Sequence, residues 1–384
     1  MANPQINTID ISFNRVPLPD NALVYIKEAM MSEHLSGDGK FTFKCQELLE
    51  EILGVPLALL TTSCTAALEM SAILLDLHPG DEVIIPSFTF VSTANAFVLR
   101  GVKPVFCDIR PDTLNLDETK LEALITPYTR AIVPVHYAGV GCAMENILAI
   151  AREADLAVVE DNAHGLMGKY RGQYLGTFGC LATQSFHETK NFTCGEGGAL
   201  LINDPALSKR AEIIREKGTN RKQFFREQVD KYTWLDIGSS FLPSDLLAAV
   251  LLSQLETRDT IQAQRHAIWM RYQTGLSDWA ARQDIRLPVV PIECEQAYHM
   301  FYLLLPSLSA RQALIHHLKE QGIQAVFHYL PLHLSAMGQQ FGGREGDCPV
   351  TEQVSDRLLR LPFYNTLAVE EQERVLTAVQ EFSV

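Results

Sequence analysis

The stretch Ser185-Phe186-His187-Glu188-Thr189-Lys190-Asn191-Phe192-Thr193-Cys194-Gly195-Glu196-Gly197-Gly198 sets one lysine between an apolar, strand-like run and a glycine-rich turn. A lone lysine is ordinarily a solvated surface charge. In a confined setting its amine loses solvation, its pKa falls and it becomes a nucleophile toward a carbonyl. Asp161, 29 positions earlier, follows the apolar run Leu156-Ala157-Val158-Val159-Glu160. In parallel α/β sheets the carboxyl ends of strands face the ligand crevice. A carboxylate there can keep a pyridine nitrogen protonated while the lysine holds an aldehyde as a Schiff base, which is the chemistry of pyridoxal 5′-phosphate, PLP. The simpler role for Asp161 is a cap on a following helix. His164, three residues on, lies by the same cofactor or is structural.

Two further segments fit such a cofactor. Thr61-Thr62-Ser63-Cys64-Thr65-Ala66-Ala67-Leu68 passes from an apolar run through hydroxyl residues into a helix former. Backbone N–H groups at that helix start, with the Ser63 and Thr65 hydroxyls, make an anion site without an arginine. Plain helix capping accounts for the same residues and is compatible with it. Pro86-Ser87-Phe88-Thr89-Phe90 brings aromatics to a strand end, where Phe90 can stack on a flat ring or, like Phe88, enter the core. The chain has no G-x-x-x-x-G-K-[ST] loop, and Gly195-Glu196-Gly197-Gly198 is not a G-x-G-x-x-G fingerprint.

The elements that must position these residues alternate along the chain. Apolar runs at 57–60, 82–85, 104–107, 131–135 and 157–160 read as buried strands; stretches 66–77, 92–99 and 145–154 read as helices. That alternation predicts an α/β fold with a large, mostly parallel sheet covered on both faces. A long amphipathic stretch from about 243 to 278 is expected to link it to a small α+β C-terminal domain. There, 300–305 reads as a strand and 310–321 as a helix, followed by a loop with His328, Pro331 and His333. The division expected is a large cofactor-binding domain over 1–250 and a small one over 251–384.

With 384 residues, 47% hydrophobic and 20% charged, the chain has the composition of a globular protein. A net charge of −14 argues against nucleic acid or an anionic membrane as partner. Its eight cysteines form no C-x-x-C pair and are expected as reduced thiols. Met1-Ala2-Asn3-Pro4-Gln5 lacks the basic and apolar regions of a signal peptide, and no apolar run approaches bilayer length, so a cytoplasmic location is expected.

Together, Ser63–Leu68, Pro86–Phe90, Glu160–His164, Ser185–Lys190 and Gly195–Gly198, in that order, resemble the DegT/StrS-type sugar-nucleotide aminotransferases of PLP fold type I, over essentially the whole chain. Arg215–Arg221, Asp230–Trp234 and Asp236–Ser240 resemble the subgroup that aminates C4 of dTDP-4-keto-6-deoxy-D-glucose to the galacto product. The resemblance implies that Lys190 binds PLP and shuttles the proton, Asp161 pairs with the pyridinium, His164 sits by the phenolic oxygen and Phe90 stacks on the ring. It implies that Ser63, Cys64, Thr65 and Ser185 hold the phosphate. L-glutamate is the implied donor and a nucleotide-linked keto sugar the acceptor, in a homodimer with its site at the interface. Where many relatives have Gly-x-Asn-Tyr-Arg, this chain has Gly238-Ser239-Ser240-Phe241-Leu242, so Ser240 stands where their Asn reaches the neighbouring subunit's phosphate. Lys217, Arg221 and His328 are substrate candidates, although a solvated charged face explains the basic stretch equally well.

Alternatives remain at this level: a C3 or gluco-product aminotransferase, or a PLP-binding regulatory protein without turnover. Dehydrating relatives carry His where this chain has Lys190. A zinc enzyme built on His164, His187, His328 and His333 lacks the short ligand spacing of metal sites, so no metal is expected.

Overall fold

The computed structural model describes residues 9–383; Met1–Thr8, where the lack of a leader was read, lie outside the described residues. The apolar runs become β1 (Leu57–Thr61), β2 (Glu82–Pro86), β3 (Lys103–Cys107), β4 (Thr129–Ile132) and β5 (Ala157–Asp161). Two short strands follow, β6 (Lys169–Tyr170) and β7 (Gln173–Tyr174), and then β8 (Leu181–Ser185) and β9 (Gly198–Ile202). A seven-stranded sheet runs β1-β9-β8-β5-β4-β2-β3. The pairs from β3 to β8 are parallel. β9 is reversed, pairing antiparallel with both β8 and β1.

Side chains along these strands alternate between two cores, as the pleat requires. Leu59, Leu200 and Ile202 face one core with Ala67 and Met70 of the helix Cys64–Leu74 and Phe97 of the helix Val91–Val98. Ala58, Leu60, Ala199 and Leu201 face the other, with Phe41 and Leu49 of the helix Lys40–Leu53 and Leu252 of the helix Asp245–Glu256. Burial on both faces explains why the strands read as continuous apolar runs.

The C-terminal half carries β10 (Cys294–Glu295), β11 (Tyr302–Leu304), β12 (Val326–Phe327) and β13 (Leu358–Arg360). β10 joins β6 and β7, while β11, β13 and β12 form a separate antiparallel sheet. Its core includes Phe301, Leu303, Leu314, Leu359 and Val375. The stretch expected to be one linking element is two helices, Asp245–Glu256 and Arg258–Arg282, broken at Thr257. Residue 250 lies inside the first, whose Ala248, Ala249, Leu251 and Leu252 belong to the large-sheet core; the C-terminal core takes over from Ile268. Ile11 is buried in that C-terminal core and bridges Ile323, so the start of the described chain packs with its end. All eight cysteines are free thiols. Among the described residues, no helix is long and apolar enough to cross a membrane.

Candidate active site

β5 ends on Asp161 and β8 on Ser185, two parallel neighbours whose carboxyl ends open beside the start of the helix Cys64–Leu74. A cavity of about 630 Å³ lies there, lined by Ser63, Cys64, Thr65, Phe90, Asp161, His164, Ser185, Lys190 and His328. Thr93, His299, Tyr329 and Arg360 are among the other residues of its wall.

Lys190 is presented by a loop that backbone hydrogen bonds close on itself. Phe186 N–H donates to Gly197 O at 2.8 Å, Glu188 N–H to Gly195 O at 2.9 Å, and Lys190 N–H to His187 O at 2.9 Å. Gly195 turns the loop at φ +89°, a conformation that L side chains rarely adopt. Gly198 allows β9 to run against the helix start: a Cβ there would stand 2.3 Å from the Ser63 carbonyl carbon. The Lys190 amine is pushed down to about 8, chiefly by burial and further by the positive charge of Arg360, with Cys64 and Asp161 opposing.

Asp161 is buried, and its two oxygens have separate tasks. Oδ1 accepts from the Ala163 N–H at 3.2 Å within the turns that follow β5, where no helix starts for it to cap; Oδ2 accepts from Thr93 Oγ1 at 2.7 Å. Thr89 Oγ1 lies 2.9 Å from Thr93 Oγ1 and donates to it, since the Thr93 proton is committed to the carboxylate.

Three imidazoles stand beside this pair. His164 and His299 are stacked, centroids 4.2 Å apart and 16° from parallel, and His328 lies 6.1 Å from His164. Burial, reinforced by nearby positive charge, holds all three below the ordinary histidine range. His299 Nδ1 donates to Asn191 Oδ1 at 2.8 Å, tying the lysine loop to the C-terminal half. His164 Nδ1 is buried without a partner among the described residues. His333 belongs elsewhere: it accepts from Ser87 Oγ at 2.6 Å and donates to Glu352 at 2.9 Å. Among the described residues, no cluster of His, Cys, Asp or Glu can hold a metal ion.

At the helix start, Ser63 caps the 11-residue helix by accepting from the Ala66 N–H at 3.0 Å, and its hydroxyl proton stays available to an anion. Thr65 Oγ1 donates to Ser92 Oγ at 2.8 Å. Burial raises the Cys64 thiol, so it remains protonated at neutral pH. Phe88 is core, packed on Tyr137 and Tyr329, whereas Phe90 is 57% exposed and lines the cavity. A recessed amine, a buried carboxylate, a helix N-terminus with hydroxyls, a free aromatic face and an orphaned imidazole nitrogen together fit PLP.

Not every anticipated residue gathers here. Ser240, Lys217 and Arg221 line a second cavity of about 690 Å³ with His34, Asp38 and Lys222. Lys217 and Arg221 both pair with Glu216, at 3.2 and 3.3 Å. Conversely, sequence reasoning passed over Thr93, His299, Tyr329 and Arg360. Arg360 left a trace, since a charge amid Leu358-Leu359 and Leu361-Pro362 is out of pattern for a buried strand.

Relatives carry the same architecture. SpsC of Bacillus subtilis, a spore coat polysaccharide biosynthesis protein, is 35% identical over 337 residues, 86% of each chain. PseC of Helicobacter pylori, an aminotransferase involved in the biosynthesis of pseudoaminic acid, superposes with a TM-score of 0.87 at 26% identity, covering 96% of this chain and 98% of its own. Spr1654 of Streptococcus pneumoniae in its PLP form gives 0.87 at 25% identity, covering 95% and 97%. Residues 19–380 match the DegT/DnrJ/EryC1/StrS aminotransferase family, and the chain belongs to that family of PLP-dependent sugar aminotransferases.

Proposed function

We propose that this chain transfers the amino group of L-glutamate to C4 of dTDP-4-keto-6-deoxy-D-glucose, giving dTDP-4-amino-4,6-dideoxy-D-galactose for a surface polysaccharide such as enterobacterial common antigen. The observation that carries the reading is the recessed Lys190 amine, near pKa 8, in one cavity with the Thr93-held Asp161. The choice of sugar rests on the resemblance of 215–221, 230–234 and 236–240 to the C4-aminating, galacto-forming subgroup. The polysaccharide role of SpsC is in keeping with it. The enzyme acts in the cytoplasm as a homodimer. Ser240, away from Lys190 in its own chain, reaches the cofactor phosphate of the partner.

PLP, when bound, supplies an electron sink for the charge left at a carbon that loses its proton. Asp161 holds the proton on the pyridine nitrogen, and Thr93 aims the carboxylate. Lys190, partly neutral at physiological pH, takes the proton from Cα of glutamate in one half-reaction and returns one to C4 of the sugar in the other. His164, its Nδ1 free of a protein partner, would hold the phenolic oxygen, and Phe90 would stack on the ring. Ser63, Cys64, Thr65 and Ser185 bind the phosphate at the helix start. The close burial of Asp161 and His164 excludes bulk water from these transfers.

The test is NMR of the product formed from dTDP-4-keto-6-deoxyglucose, L-glutamate and PLP. An axial C4 amine formed with one equivalent of 2-oxoglutarate is expected. An equatorial C4 amine, or an amine at C3, would refute the assignment.

A further inference from the structure

Among the described residues, Arg360 is a recessed cation with no anion beside it. It ends β13 and lines the Lys190 cavity beside Phe13, Tyr329 and Phe363. One guanidinium N–H donates to Phe327 O at 3.1 Å, and its carbon sits 4.7 Å from the centre of the Phe13 ring. Nε is buried without a partner, and among the described residues no carboxylate pairs with the group. Arg265, buried within the C-terminal half, shows the contrast: Nε and both terminal nitrogens bond Tyr298 O, Asn365 Oδ1 and His299 O at 2.6–2.8 Å. Arg265 is satisfied by the fold, and Arg360 is not.

Arg360 is partly buried; holding a cation even partly out of water without an anion costs free energy, which is recovered when a ligand brings the opposite charge. Three anions can enter this cavity. The cofactor phosphate already has the N-terminus of the helix Cys64–Leu74 with its hydroxyls. A diphosphate would need more than one cation, and the other cation lining the cavity, Lys190, is the amine assigned to the cofactor. A carboxylate carries one charge and is planar, matching a single guanidinium fork.

We infer that Arg360 recognises a carboxylate of the amino donor, placing the donor's amine-bearing carbon for Lys190. This rests on the aminotransferase reading of the site. Between turnovers the Phe13 face partly offsets the charge. The keto sugar ring brings no carboxylate, so Arg360 is needed in one half-reaction and not in the other.

The test separates the halves in the PLP-loaded enzyme, comparing wild type with Arg360→Gln and Arg360→Lys after their melting temperatures confirm folding. Removing a buried partner of a carboxylate should lower the rate constant for bleaching of the PLP band per molar glutamate by about 100-fold in Arg360→Gln. Arg360→Lys should recover part of it. Amination of the keto sugar by the pyridoxamine phosphate form should fall far less, its loss limited to the effect of the missing Arg360 charge on the Lys190 amine. Glutarate, which has no amine, should bind Arg360→Gln more weakly than wild type by a similar factor in calorimetry. L-glutamine tells which carboxylate is read: equal losses for glutamine and glutamate assign the α-carboxylate, a loss for glutamate alone the side-chain one. Equal damage to both half-reactions, damage to the sugar half alone, or unchanged glutamate kinetics would overturn the role of Arg360. If wild type is not bleached by glutamate, the donor assignment fails. Arg360-dependent glutarate binding would then still support a carboxylate site, and its absence would overturn it.

Discussion

Thr93 Oγ1 donates to Asp161 Oδ2 at 2.7 Å, joining the helix Val91–Val98 to the carboxyl end of β5. Both residues are buried, so solvent does not replace this bond when it is lost. Thr93→Val keeps the shape and removes the donor. A hydrogen bond to a charged group contributes roughly 1.5–3 kcal/mol, so kcat should fall about 10-fold or more while the fold persists. Steady-state kinetics with a melting curve as control check this.

Lys190→Ala should abolish turnover and the absorbance band of the Schiff base with PLP, leaving that of the free aldehyde. The aromatic face, the helix N-terminus and Asp161 are untouched, so PLP should still be retained noncovalently. Absorbance before and after gel filtration checks both. Normal activity in this variant would sink the aminotransferase assignment.

The lysine also sets a pH dependence. Its folded pKa of about 8 lies below the ordinary 10.5 because burial penalises the charged form, helped by Arg360. The neutral amine is the nucleophile, so capture of PLP by the cofactor-free protein should accelerate about tenfold per pH unit below 8 and level off above it. Between about 8 and 10.5 the unfolded chain binds more protons than the folded one, so stability rises with pH through that window. Lys190→Met should lack this rise. Stopped-flow absorbance and urea melts measure the two effects.

Gly198→Ala tests the close approach of β9 to the helix start. The added Cβ would meet backbone, at 2.3 Å from Ser63 C and 2.4 Å from Cys64 N, so the strand or the helix must move. Overpacking of this kind costs roughly 1–3 kcal/mol. The same movement disturbs the N–H groups assigned to phosphate. Lower stability in urea and a weaker PLP dissociation constant should therefore appear together.

Within the cavity, the residues legible in the sequence were those that follow a strand or start a helix. Asp161, Lys190 and Ser63 were readable because each sits at a local boundary marked by apolar runs, hydroxyls or glycines. Phe88 and Phe90 could not be told apart, because two residues i and i+2 beyond a strand have no fixed periodicity. Packing sends Phe88 into the core and leaves Phe90 on the cavity. Lys217 and Arg221, substrate candidates in the sequence, both pair with Glu216 in the second cavity, a neighbour that their spacing did not reveal.

By itself, the sequence determined the alternation of strands and helices, the two-sided burial of the central sheet, and the lysine–carboxylate pair at strand ends. Each depends on side-chain period and turn chemistry within a few residues. Only the tertiary structure decided that β9 runs antiparallel, that Ile11 packs in the C-terminal core, and that His299, Tyr329 and Arg360 meet Lys190. The contacts of Ile11 and of His299, Tyr329 and Arg360 join positions more than a hundred residues apart. No local pattern encodes them, because they arise when the C-terminal half packs over the carboxyl ends of the sheet.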